Sequence, residues 1–207
     1  MPKLPPKRLE SRRQAILEAA ERAFARDGFH GTSMQNICRE AGISPGTLYL
    51  YFPSKVALIA GLCERDRNEI KAALIEVENA PNILEALEDM LVHYACVEPH
   101  ERRALMFEIG AEALRNPDIA KLMTETDDAF TAMIRATVVG AVDAGRIKPH
   151  GDIDTIFDLL SALGDGILWR ATLRPDLDHR NSIRRIFALV RQQLLTSTTD
   201  TPLACPA

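Results

Sequence analysis

Apolar residues recur at one-face helical spacing along nearly the whole 207-residue chain, and no stretch alternates as a strand would. Ile16, Ala19, Ala20, Ala23 and Phe24 form the first stripe, with Ser11 and Gln14 ahead of it as a capping box and Gly28 as its stop. Met34, Ile37, Cys38 and Ala41 form the second, opened by Thr32 with Gln35 and closed by Gly42. Ile43 is apolar within the turn and is expected to plug a small core between the helices. Ser44 is an N-cap and Pro45 a first helical residue, where a missing N–H is not felt. The third helix, about Pro45 to Tyr51, is too short to stand alone. Leu48 and Phe52, four apart, anchor it, and Thr47 and Tyr51 fall on a different side. Pro53 and Ser54 stop it and cap the next helix.

The pattern continues through the body. Leu58, Leu62, Ile70, Leu74 and Val77 make one stripe, broken at Pro81, and Ile83, Leu87, Leu91 and Tyr94 make the next, ending near Pro99. Met106, Ile109, Gly110 and Ala113 follow. Asn116 caps a helix that starts on Pro117, carries Phe130, Met133, Ile134, Thr137, Val138 and Ala141, and closes at Gly145. Arg146 to Gly151 is expected to be a loop. Two further helices hold Ile156 to Ala171 and Ile183 to Leu194, and their apolar faces are broader than one seam requires. With Ser161, Ala162, Gly164 and Gly166 allowing close approach, this suits a two-fold dimer built on a four-helix bundle. Leu160, Leu163, Gly164, Ile167, Phe187, Val190 and Leu194 are the candidate dimer residues. A helix buried in a monomer core is the alternative.

Charge divides the chain. The whole carries 25 Lys and Arg against 29 Asp and Glu, net −4, with 46% hydrophobic residues. Residues 1–55 hold nine basic and five acidic side chains, net +4, which leaves −8 on the rest. Lys3, Lys7, Arg8, Arg12 and Arg13 concentrate the basic charge on a head whose short third helix is shaped to enter a DNA major groove. The four cysteines, Cys38, Cys63, Cys96 and Cys205, have no metal-like spacing. Cys38, Cys63 and Cys96 read as small buried hydrophobes. There is no glycine-rich phosphate loop, no nucleophile elbow and no metal-ligand cluster. No catalytic residue, metal or cofactor is expected, and an enzyme is disfavoured. With no membrane-length apolar run and no signal-peptide pattern, a cytoplasmic protein without membrane attachment is expected.

The run from Gly28-Phe-His-Gly-Thr-Ser through Gly42-Ile-Ser-Pro-Gly-Thr-Leu-Tyr-Leu-Tyr-Phe to Lys55 resembles the DNA-binding domain of TetR-family transcriptional regulators, over roughly residues 11–62. The resemblance implies an all-α chain of about nine helices, the first three binding DNA and the rest binding an effector and dimerising. It assigns Ser33, Ser44, Tyr49, Tyr51 and Lys55 to phosphates, and Gln35, Gly46, Thr47 and Leu50 to the neighbourhood of base edges. Pro45 lies near the bases but has no donor, and Cys38 stands where an alanine is usual. The expected organisation is a flexible basic arm (1–10), a helix-turn-helix domain (11–55), a helical effector-binding and dimerisation domain (56–195) and a flexible tail (196–207).

Partners implied are a palindromic double-stranded operator, a second copy of the chain and a partly apolar small-molecule effector. Candidate effector contacts are Tyr94, Met106, Phe107, Phe130, Met133 and Trp169, with His93 and Asp165 as polar partners. The stretch Phe107-Glu-Ile-Gly-Ala-Glu-Ala-Leu-Arg-Asn-Pro117 more weakly resembles the C-terminal domain of choline-responsive and related TetR-type regulators, and carries no ligand assignment. The alternative function is a TetR-like DNA binder controlled by a protein partner.

Overall fold

A computed structural model describes residues 6–197. Among these, nine α-helices follow one another: α1 Pro6–Gly31, α2 Met34–Ala41, α3 Pro45–Tyr51, α4 Lys55–Asn79, α5 Ile83–Val92, α6 His100–Ala113, α7 Pro117–Asp143, α8 Ile153–Leu173 and α9 His179–Gln193. A π-helical turn, His93–Val97, continues α5. The fold class is all-α. Two three-residue strands, Ile147–Pro149 and Leu195–Ser197, pair antiparallel with Ile147 opposite Ser197. The stretch 146–151 is therefore not the plain loop expected. Ile147 and Leu195 are buried and hold the strand pair to the apolar cluster beside it. No single helix among the described residues is long and apolar enough to cross a membrane.

The chain divides into two compact units, residues 1–68 with 99–127, and residues 69–98 with 128–207. The first has one apolar core. Ile16, Leu17, Phe24, Ile37, Leu48 and Leu58 are wholly buried in it, with Leu105 and Ile109 of α6 and Ile119 of α7. Charges seal its edge. The Arg65 guanidinium donates to both carboxylate oxygens of Glu21, at 2.7 and 3.0 Å, and to Asp66, which also accepts from Arg102. In the second unit, one apolar cluster joins Val77, Ile83, Leu84, Ala141, Ile156 and Val190, and another joins Val92, Ala95, Ile167, Ala171 and Ile183.

Several helix ends differ from the sequence expectation. Helix α1 starts at Pro6, so Ser11 lies inside it and residues 6–10, expected in the arm, are helical. Residues 1–5 of that arm and most of the 196–207 tail, with Cys205, lie outside the described residues. Thr32 does not cap α2. Its side chain is buried and its hydroxyl donates to the Ala23 carbonyl, while Ser33 takes the N-cap and accepts from the Asn36 amide. Cys38 and Cys63 are buried, but Cys96, in the π-helical turn, is exposed. Burial pushes the Cys63 thiol above its usual range.

Candidate nucleic-acid interface

Helix α3 is assembled by local chemistry and then pinned by two side chains. Gly42 adopts a left-handed conformation (φ 64°, ψ 34°) that ends α2, and its amide donates back to Arg39. Ser44 caps α3 by accepting from the Thr47 amide at 3.3 Å, and Pro45 opens the helix. Leu48 and Phe52 are buried in the first unit's core, and Ile43 packs against it from the turn. Ser54 accepts from the Ala57 amide and starts α4. Together these fix which side of α3 faces outward.

That outward side carries most of the expected DNA residues. Tyr49 is 53% exposed and Leu50 85%. Ser33, Gln35, Ser44, Pro45 and Gly46 are also exposed, and nothing lies within 4 Å of a Cβ built at Gly46. Thr47 is half-buried, with its hydroxyl 2.9 Å from that of Ser44. Tyr51 is half-buried against the core.

Lys55, which the resemblance assigns to phosphates, is half-buried at the α1–α2 corner. Its ammonium donates to the Phe29 carbonyl at 2.6 Å and sits 4.3 Å over the Phe29 ring. Burial pushes its pKa below the usual lysine value, with the Glu112 charge opposing. Arg13 likewise turns inward, onto the Phe52 ring and Glu64.

Two carboxylates of α6 had no role in the sequence-based assignment. Glu108 accepts from the Phe29 amide at 2.6 Å, and Glu112 lies 2.7 Å from the His30 ring. Their spacing of four in a stretch, Ala104 to Ala113, that is otherwise apolar was the available signal.

The effector candidates fall in both units. Met106 and Phe107 lie half-buried on α6 of the first unit; Tyr94, Phe130 and Met133 are half-buried in the second. His93, Asp165 and Trp169 are exposed. An open cleft in the second unit is polar instead of apolar, lined by Asn82, Glu85, Glu88, Asp89, Arg184 and Arg191.

The dimer candidates divide between covered and open positions. Ile167 and Val190 are buried in the protomer's own clusters, and Leu160, Phe187 and Leu194 pack against them. Leu163 and Gly164 are only part-exposed. The exposed stripe of α8 is Leu159, Ala162, Gly166, Trp169 and Leu173, spaced three and four apart, and Leu189 is exposed on α9. The helical period had located an apolar face, but α8 has two, and burial distinguishes them.

Comparison with known proteins agrees with this architecture. Residues 16–62 match the family described as bacterial regulatory proteins, tetR family, and residues 84–195 match the BetI-type transcriptional repressor C-terminal family. The chain is 35% identical over 158 residues to the HTH-type transcriptional regulator UidR of Escherichia coli K12, covering 75% of this chain and 79% of that protein. Its fold is similar to that of Salmonella enterica GusR, with a TM-score of 0.72, 31% identity and coverage of 86% and 94% of the two chains. A regulator from Saccharomonospora viridis in complex with choline shares the fold at 22% identity, with a TM-score of 0.72 and coverage of 90% and 98%. These matches are regulators, not enzymes.

Proposed function

Because the chain belongs to the TetR family of transcriptional regulators, we propose that it is a cytoplasmic repressor that binds a palindromic operator as a homodimer and leaves it when a small-molecule effector binds. Regulators of this family bind DNA operators and act as dimers. The observation that carries the reading is the outward side of α3. Tyr49 and Leu50 are exposed on a helix whose opposite side is locked into the core by Leu48 and Phe52.

Within this reading Ser33, Ser44, Tyr49 and Tyr51 contact phosphates, and Gln35, Gly46, Thr47 and Leu50 approach base edges. Lys55 supports the corner above α3 and reaches phosphate only with donors not used by Phe29. The exposure of Leu50 favours apolar contact with a thymine methyl group. Leu50→Ala is then expected to weaken binding about fourfold, the value of one buried methyl-sized group. Replacing the contacted thymine by uracil should cost the wild type a similar factor and the variant nothing; an equal uracil effect on both would remove this contact. The half-buried Tyr94, Phe130 and Met133, which share the second unit, are the effector contacts retained by this proposal.

The direct test is binding to the DNA immediately upstream of the protein's own coding region at several salt concentrations. If six or more phosphates are neutralised, affinity should fall about a thousandfold or more between roughly 50 and 200 mM salt. Binding no tighter than to random duplex, there and across a selected library, would overturn the reading.

The dimer is assigned to the exposed α8 stripe with Leu189. Gly166 is exposed and nothing in the protomer lies within 4 Å of a Cβ built there, so Gly166→Leu is expected to fold. It should nonetheless shift sedimentation toward the monomer and weaken operator binding, because the added side chain blocks close helix approach between copies. A variant that remains fully dimeric would place the interface elsewhere.

A further inference from the structure

The corner between α1 and α2 is gripped on both sides of one residue. Phe29 donates its amide to Glu108 of α6 at 2.6 Å, and its carbonyl accepts from Lys55 of α4 at 2.6 Å. The preceding Gly28 breaks the helix at φ 74°, ψ 168°, a region open essentially only to glycine. A Cβ there would stand 2.7 Å from Glu108 Oε1, so the carboxylate occupies the space a side chain would fill. One turn further along α6, Glu112 is 7% exposed and pairs with the His30 ring at 2.7 Å.

We propose that Glu108 and Glu112 form a latch on the α1–α2 corner and act as positioning residues for operator binding. This rests on the DNA-binding reading above. Apolar packing of Leu105 and Ile109 already holds α6 in the core, but such contacts are non-directional and would allow the corner to slide. Hydrogen bonds to a carboxylate are directional, and buried carboxylates are a costly way to gain stability. Their effect here is on register. Ser33 caps α2 only four residues beyond Phe29, so the angle at which α2 and α3 leave α6 is set at this corner. Helix α6 itself falls in the stretch that matches the C-terminal repressor family, yet it packs within the same compact unit as the head. The latch is thus where that stretch holds the DNA-binding helices.

The test uses the full-length protein and a duplex operator selected from random DNA with the wild type. Affinity is measured for the selected half-site spacing and for spacings one base pair longer and shorter. E108M removes the acceptor while keeping the apolar stem. It is expected to stay folded, to lose about ten- to hundredfold for the selected spacing, as for one hydrogen bond to a charged acceptor, and to discriminate less between spacings. E108Q keeps an acceptor oxygen and should restore discrimination. A merely structural role would weaken all spacings alike. Should E108M not fold, H30A provides the same comparison, since His30 is exposed and its removal leaves the core intact. Unchanged spacing discrimination in the folded variant would overturn the latch alone. Failure of the wild type to enrich any sequence would overturn the operator reading and the latch's role with it.

Discussion

Leu48→Ala is expected to weaken operator binding about thirtyfold or more while most of the helical signal remains. Leu48 is wholly buried, and with Phe52 it is what holds α3 to the core. A seven-residue helix has no stability of its own, because nucleation costs more than so few hydrogen bonds return. Removing a buried leucine side chain down to alanine costs about 2–5 kcal/mol. Even about 2 kcal/mol, falling wholly on the docking of α3, is roughly thirtyfold in the population able to bind. Circular dichroism should lose little amplitude, since α3 is a small part of the helix content, but the melting midpoint should fall. An unchanged midpoint with unchanged operator affinity would show that α3 is held by something else.

Gly28→Ala is expected to be strongly destabilising. The backbone there lies where a non-glycine residue costs about 1–3 kcal/mol. The new methyl would also displace Glu108, and a hydrogen bond to a charged acceptor contributes about 1.5–3 kcal/mol. The two costs share one site and do not simply add, so a total on the order of 3 kcal/mol is expected. Gly42→Ala supplies the control. Its backbone is also left-handed, but a side chain there meets nothing within 4 Å, so only the backbone cost of about 1–2 kcal/mol remains. Denaturant unfolding of the two variants separates the terms. Equal losses would mean that the carboxylate swings aside freely and that Phe29 gains nothing from it.

The helix-turn-helix was legible because its determinants are local. Ser44, Pro45, Gly42 and Ser54 act within one turn of where they stand, and each does what its spacing suggests. Legibility fails where a distant residue competes for a local group. Thr32 and Ser33 are both plausible caps. Only the folded chain buries Thr32 against the Ala23 carbonyl and leaves the cap to Ser33. That Lys55 also donates to the Phe29 carbonyl has no local signal, because the two residues are 26 positions apart. The strand pair at Ile147 and Leu195 joins segments nearly fifty residues apart, so neither carries a readable signal.

The sequence by itself determined the all-α class, the bounds of α3, the basic head and the resemblance to TetR regulators. Each depends on periodicity, capping and side-chain type, which are properties of short windows. Tertiary structure alone decided which apolar face of α8 is covered, that Ile167 and Val190 belong to the protomer core, and that Glu108 and Glu112 meet the corner at Phe29 and His30. A helical period reports that a face is apolar, but what covers it depends on elements far along the chain. A carboxylate's role likewise depends on which donors the fold brings within about 3 Å of it.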